Sequence, residues 1–382
     1  MYIYIIIILL TYITYVIIKN IYFSLFLNTE GSEDRSVSQS QNKSLLNKTI
    51  HICHANPENI FKFMYKPITL SVLKLIDASI ITNNNLLYSK LNTKSDATCI
   101  KNHCSILCPQ SDINPYFSTE SENLVSKLNC SNDVKINYKI VDNNNFDEIN
   151  SNDILIWIGW EAAPNFEELK KKGIYTIWFN SEPYYHKKNS DEIWTYSKYL
   201  FDNYKNDNQI LRFIPIICEE NIPCVPYNLI NNNIKLVFMG NLNYRPEKKE
   251  YLLKSKFLQE NLEEVYNIWN DDDYNNFINK KSNIFLNLTK SINIDIKYVL
   301  PSVRINKLLS HKCIIISEYT NPIDEEYYKD MVYFCNLEDI EDLYKKLISK
   351  SSHELKQESD RIYEKFYNKF YYKNALKLIT QK

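Results

Sequence analysis

The chain has 382 residues, 45% of them hydrophobic and 24% charged, so it can bury a sizeable core and is long enough for two domains. Its formal net charge is -1 with acids and bases interspersed, which argues against a polyanion-binding surface and against nucleic acid as a partner. Only four glycines occur, Gly31, Gly159, Gly173 and Gly240, so phosphate loops of the G-x-G-x-x-G or G-x-x-x-x-G-K-[ST] kind are absent and any nucleotide has to be held by other means.

Met1 to Leu27 carries one charged side chain, Lys19, and its charge-free run up to Ile18 reaches the lower length limit for crossing a bilayer. The segment is expected to be an N-terminal transmembrane anchor of the signal-anchor type, partnering the membrane. The rival reading, a cleavable signal peptide, lacks a basic n-region and an A-x-A-like site after the run. Lys19 and Arg35, on the C-terminal side, weakly favour a cytoplasmic body and leave the side of the membrane open. Nine cysteines, an odd number spread widely, do not look like a disulfide framework. The sequons at Asn42, Asn47, Asn129 and Asn287 matter only in a lumen.

Residues 28–49 are polar, aperiodic and poor in aromatics, and read as a stem or linker. From Ile50 to about Asn150 the signals are mixed, with strands expected at Thr49 to Cys53 and around Ser105 to Cys108. From Asp153 the pattern sharpens. DILIWIGW is a buried strand, Pro164 opens a short helix through Lys172 that Gly173 stops, and IYTIWF is the next strand. EIWTYS, SKYLFDNYK and ILRFIPI continue as strand, helix and strand. Strand, helix, strand with short connections implies a parallel sheet.

The proline-bearing stretch 219–232 then reads as a connection between a domain over 50–218 and a second over 233–382. In the second domain IKLVFMGNL is a strand closing on Gly240. Pro246 starts an expected helix whose apolar face is Tyr251, Leu252, Phe257, Leu258, Leu262 and Val265. SNIFLNLT is a strand, Pro301 to Leu309 a helix, and CIIIS and MVYFC strands. A helix from an Asn336 N-cap places Leu337, Ile340, Leu343, Tyr344, Leu347 and Ile348 on one stripe, and a last long helix carries Ile362, Tyr363, Phe366, Tyr367, Phe370 and Tyr371. The fold class expected is therefore α/β, two Rossmann-like domains after an N-terminal transmembrane helix, with the site in the cleft between the domains.

GNLNYR and VRINKLLSHKCIIISE, followed by IDEEYYKDMVYFCNLEDIEDLYKKLI, resemble the C-terminal half of GT-B glycosyltransferases, most of all the "glycosyl transferase group 1"-like branch with an arginine-led R-x-N-x-L-L stretch before a buried strand and Ser-Glu. YTIWFNSEPYY, DEIWTYSKYLFDNY and LRFIPI fit the last βα elements of that fold's N-terminal, acceptor domain. The resemblance covers about Asp153 to Ile379. It implies transfer of a sugar from a nucleotide-activated donor, with no cofactor beyond that substrate, to a glycan, lipid or protein acceptor.

Breaking the bond to a nucleoside diphosphate requires its developing charge to be neutralised, by arginine, lysine or helix N-termini where no metal serves. Arg245, just after the strand that closes on Gly240 and Asn241, stands at the C-terminal edge of a parallel sheet, and Arg304 stands in the first turn of its helix. With Asn306, Lys307 and Glu318 these form the expected nucleotide-sugar-binding set. The family's ribose-binding glutamate, three residues after the arginine, is replaced by Lys307, which cannot accept a hydrogen bond from a diol although it can pair with phosphate. That departure supports a rival, a non-catalytic glycan- or partner-binding protein on the same fold; a nucleotide-sugar epimerase is a weaker third reading. The base activating the acceptor would come from the first domain, with Glu161, Glu182 and His54 as candidates after strands. If transfer retains configuration, Glu182 would instead orient the acceptor. No metal is expected: NDDDYNN, Asn270 to Asn276, reads as helix capping by Asp271 to Asp273, and Cys99, His103, Cys104 and Cys108 lack the paired C-x-x-C form of a zinc site.

Overall fold

The computed structural model describes residues 49–53, 66–81, 137–141, 146, 149–151, 153–159, 163–182, 185, 188–204, 210–227, 234–266, 268, 271–280, 282–289 and 299–381. The anchor over 1–27, the stem as far as residue 48, the strand expected around Ser105 to Cys108, the cysteine cluster from Cys99 to Cys108, and the candidates His54 and Glu161 lie outside them. Among the described residues no helix is long and apolar enough to cross a membrane.

Two sheets organise the body. The first contains β1 (Thr49–Cys53), β2 (Asn137–Val141), β3 (Ile154–Ile158), β4 (Tyr175–Asn180), β5 (Glu192–Thr195) and β6 (Ile210–Phe213), all parallel, in the order β2-β1-β3-β4-β5-β6. Its helices are α1 (Lys66–Ile81), α2 (Phe166–Lys171) and α3 (Lys198–Tyr204). ILIWI and all but the first residue of YTIWFN are buried, the signature of strands covered on both faces. Gly173 ends the turn after α2 at φ +80, as the sequence indicates.

In the second sheet β7 (Lys235–Met239) leads through a 3-10 turn, Leu242–Tyr244, into α4 (Pro246–Leu252), α5 (Lys256–Asn261) and β8 (Leu262–Val265). Then come α6 (Asp271–Lys280), β9 (Asn283–Asn287), α7 (Ser302–Ser310), β10 (Ile314–Glu318), α8 (Pro322–Tyr327), β11 (Tyr333–Cys335), α9 (Ile340–Ile348) and α10 (Ser352–Phe370). The strand order is β11-β10-β9-β7-β8, entirely parallel. The helix α6 does begin at Asp271, so Asp271 to Asp273 are its first three residues.

Three expectations change. The single helix from Pro246 is broken: α4 stops, the Ser255 side chain accepts from the Leu258 N–H at 3.2 Å to start α5, and Leu262 to Val265 pair with β7 as a strand. Leu262 and Val265 fit a helical face by spacing, but pairing along β7 overrides that local preference. The helix after Asn336 begins one turn later than expected, because Leu337–Asp339 form a 3-10 turn and Asn336 donates through Nδ2 to Asp339 at 3.0 Å. Finally, the chain does not stay with the second sheet after Phe370. α11 (Tyr372–Ala375) packs on α1, and β12 (Thr380–Gln381) adds to the first sheet antiparallel to β6, Thr380 opposite Phe213.

The segment between the sheets is fastened on both sides. The Ile217 N–H donates to Ser71 of α1 at 2.9 Å, and the Cys218 N–H to the Phe370 carbonyl at 2.9 Å. The Glu219 N–H reaches Ser310 Oγ at 3.0 Å and the Val225 N–H the His311 carbonyl at 3.0 Å.

Candidate functional site

Both sheets follow one order, in which the first strand lies between the second and the third, so each has a point where successive crossovers diverge. Ligands of open parallel sheets sit in the crevice at the carboxyl ends of the strands flanking that point. In the second sheet those strands are β7 and β9; in the first they are β1 and β3, which precede His54 and Glu161.

At the end of β7, Gly240 has φ +155, and a Cβ there would lie 3.1 Å from the Phe238 ring, so only glycine makes this turn without strain. Its N–H donates to the Val265 carbonyl at 2.9 Å, and the Asn241 side chain accepts from the Asn243 N–H at 2.8 Å to start the 3-10 turn. The turn delivers Arg245 to the divergence point. Arg245 donates through Nε to the Leu288 carbonyl, just past β9, at 3.2 Å and through Nη1 to the Asn241 carbonyl at 3.4 Å, with its guanidinium 5.0 Å from the centroid of Phe238.

Arg304, in the first turn of α7, is close enough for its charge to act on Arg245. Burial first, and then the like charge of Arg304, pull the Arg245 pKa down to about 10 against the opposing pull of Glu318. Burial likewise lowers Arg304, with partial compensation from Tyr274 and Tyr196. Both arginine residues are half-buried, and among the described residues neither forms an ion pair with a carboxylate. Tyr196 directly follows β5, at the carboxyl edge of the first sheet.

Lys248, which the sequence reading did not single out, lies one helical turn beyond Arg245 and bridges the same divergence point. Its Nζ donates to the Thr289 carbonyl at 3.0 Å, to Thr289 Oγ1 at 2.6 Å and to Glu318 Oε2 at 2.7 Å. Glu318 also accepts from the Thr289 N–H at 2.8 Å. Its carboxylate thereby fixes the ammonium and the corner after β9. The Arg-x-x-Lys spacing in RPEK was the available signal, since residues three apart share a helix face.

Asn306 is fully buried and its side-chain amide is engaged within the protein, donating through Nδ2 to the Ile216 carbonyl at 2.5 Å and accepting from the Tyr328 hydroxyl at 2.7 Å. Lys307 is buried with Nζ 4.8 Å from the centroid of Tyr274, which packs in turn on His311. Glu182, two residues past β4, is half-buried, and its N–H donates to Asn180 Oδ1 at 3.1 Å. The structure thus brings Gly240, Asn241, Arg245, Arg304 and Glu318 to one sheet edge, turns Asn306 and Lys307 into the protein, and leaves Glu182 on the first sheet. Among the described residues no His, Cys, Asp and Glu side chains group as metal ligands.

No protein-family model matches the chain, and no curated protein matches it in sequence. Among solved structures it is similar to a chain of the glycosylation-associated protein (Gap123) complex from Streptococcus agalactiae, at 10% identity and TM-score 0.39, over 70% of this chain and 61% of that one. It is also similar to trehalose-6-phosphate synthase from a study of glycosyl transfer with retention, at 11% identity and TM-score 0.33, over 60% of this chain and 74% of that one. The chain therefore spans about three-fifths of the first of these relatives.

Proposed function

We propose that this chain is a GT-B-type glycosyltransferase that moves a sugar from a nucleoside-diphosphate donor to a glycan, lipid or protein acceptor. The observation that carries this reading is the Arg245–Arg304 pair: two half-buried like charges, without carboxylate partners among the described residues, at the carboxyl edge of a parallel sheet. Such an arrangement is unfavourable alone and becomes favourable around a multiply charged anion. A diphosphate fits that need, and as the glycosidic bond breaks its charge grows at the place where the guanidiniums stand. Glu182, Glu161 and His54, after strands of the first sheet, remain the candidates for activating or orienting the acceptor hydroxyl. An anchor in residues 1–27 would hold the enzyme at a membrane.

The test is a screen of common nucleotide sugars for release of nucleoside diphosphate, with and without glycan and lipid acceptors. Turnover that falls at least about 100-fold in Arg304→Ala and in Arg245→Ala supports the reading. Neither turnover nor arginine-dependent donor binding across the panel would refute it. Burial of Lys307 against Tyr274, where the resemblance calls for a ribose-binding acid, favours one alternative: a non-catalytic binder of glycan or of a partner enzyme. In that case Lys307→Glu gains nucleotide binding that the parent lacks.

A further inference from the structure

Six large apolar side chains are exposed among the described residues, and three of them stand at one edge of the fold. Tyr244 follows β7, Tyr266 follows β8 and Tyr319 follows β10, with 66%, 57% and 49% of their surface exposed. All three therefore rise from the carboxyl edge that carries Arg245. Adjacent strands are about 4.8 Å apart, so Tyr266 is displaced about one strand outward from β7 and Tyr319 about one strand outward from β9.

The β7–β8 side differs from the β10 side in two ways. It carries two exposed rings rather than one, and the segments bearing them are tied together. The Gly240 N–H donates to the Val265 carbonyl at 2.9 Å, and the Leu242 N–H donates to Glu264 Oε1 at 3.0 Å, so the residues leading to Tyr244 are fastened to the strand leading to Tyr266. Tyr244 is also the immediate neighbour of Arg245. Backbone that is already fixed loses little freedom when a flat ligand ring covers the side chains it carries.

Resting on the reading above, we propose that Tyr266, together with Tyr244, forms the stacking platform for the nucleobase of the nucleoside diphosphate whose phosphates lie at Arg245 and Arg304. A base attached through ribose to a diphosphate at the divergence point reaches one strand to the side, which is where the two rings stand. On the opposite side, the Lys248–Glu318 pair and Tyr319 border the direction left for the donor sugar.

The experiment is titration of the full chain with uridine diphosphate, guanosine diphosphate and inorganic pyrophosphate, for the parent and for Tyr266→Ala, Tyr266→Phe, Tyr319→Ala and Arg245→Ala. Thermal unfolding midpoints control for folding. Tyr266→Ala should weaken both nucleoside diphosphates about ten-fold and leave pyrophosphate unchanged, because stacking acts on the base alone. Tyr266→Phe, which keeps the ring, should recover most of the affinity. Nucleoside diphosphates that bind equally to parent and Tyr266→Ala, yet depend on Arg245, would overturn the platform and leave the donor site standing. Loss in Tyr319→Ala in place of Tyr266→Ala would put the base on the other side and overturn it equally. If none of the three probes binds in an Arg245-dependent way, the platform and the donor site fall together.

Discussion

At the head of β5, Glu192 shows what a completed charge cluster looks like in this protein. Its carboxylate accepts from Arg212 Nε at 3.1 Å and Arg212 Nη2 at 3.0 Å, from Trp194 Nε1 at 2.7 Å and from the Tyr175 hydroxyl at 3.0 Å, across three adjacent strands. Burial alone would raise the Glu192 carboxyl, but the hydrogen bonds and positive charge of Arg212, with Trp194 and Tyr175, hold it below the usual glutamate range. Arg245 and Arg304 are the opposite case, with positive charge assembled and among the described residues no carboxylate paired with it. Glu192→Gln leaves Arg212 buried without its counter-charge and should destabilise the protein by about 3 kcal/mol at neutral pH, measured by urea unfolding. Because the folded carboxyl is depressed, its contribution is present above the unfolded glutamate range and is lost as pH falls through the folded value. The gap between parent and variant should therefore narrow on acidification. A gap that widens below pH 4 would contradict the direction of the shift.

The element that least resembles its sequence-based expectation is the chain end. Ala375, Leu376 and Ile379 are buried, α11 and the turn after it pack on α1, and Thr380 pairs with Phe213, so the first sheet is extended at its β6 edge by residues that follow the second. Removing residues 372–382 should cost about 3–5 kcal/mol by the loss of those three apolar side chains. Urea unfolding followed by the fluorescence of Trp157, Trp178 and Trp194, all buried on the first sheet, reads this directly. An unchanged midpoint would mean that the return strand contributes nothing. The buried strands over 154–158, 175–180, 235–239 and 314–318 were legible because both faces are covered and the apolar runs are continuous. So was Arg245 at a strand end, because proline and glycine mark the turn on either side of it. β8 was not legible, since LEEV has no continuous run and is a strand only through its pairing with β7. Neither was β12, which depends on a partner far away in sequence. Lys248 was hidden for a related reason: its contacts to Thr289 and Glu318 exist only once β7, β9 and β10 are side by side.

For the molecule as a whole, α7 is the element shared by the candidate site and the junction between the sheets. Its first turn carries Arg304, its middle carries Asn306 bonded to the Ile216 carbonyl and the Tyr328 hydroxyl, and its end holds the Glu219 N–H through Ser310. His311, directly after it, contacts the Pro223 carbonyl through Nδ1 at 2.5 Å. α7 therefore links the junction between the sheets to the helix turn that carries Arg304. Asn306→Ala leaves the buried Ile216 carbonyl without this partner and takes one of two side-chain partners from the Tyr328 hydroxyl, which should cost about 2 kcal/mol in urea unfolding. If Asn306 acts through the helix, pyrophosphate affinity should fall several-fold together with that loss of stability, because α7 and Arg304 shift with the loosened junction. If Asn306 instead touched the ligand, affinity would fall while the urea midpoint stayed at the parent value. The bonds that both amide atoms already make within the protein favour the first outcome, and measuring both quantities on one variant decides between them.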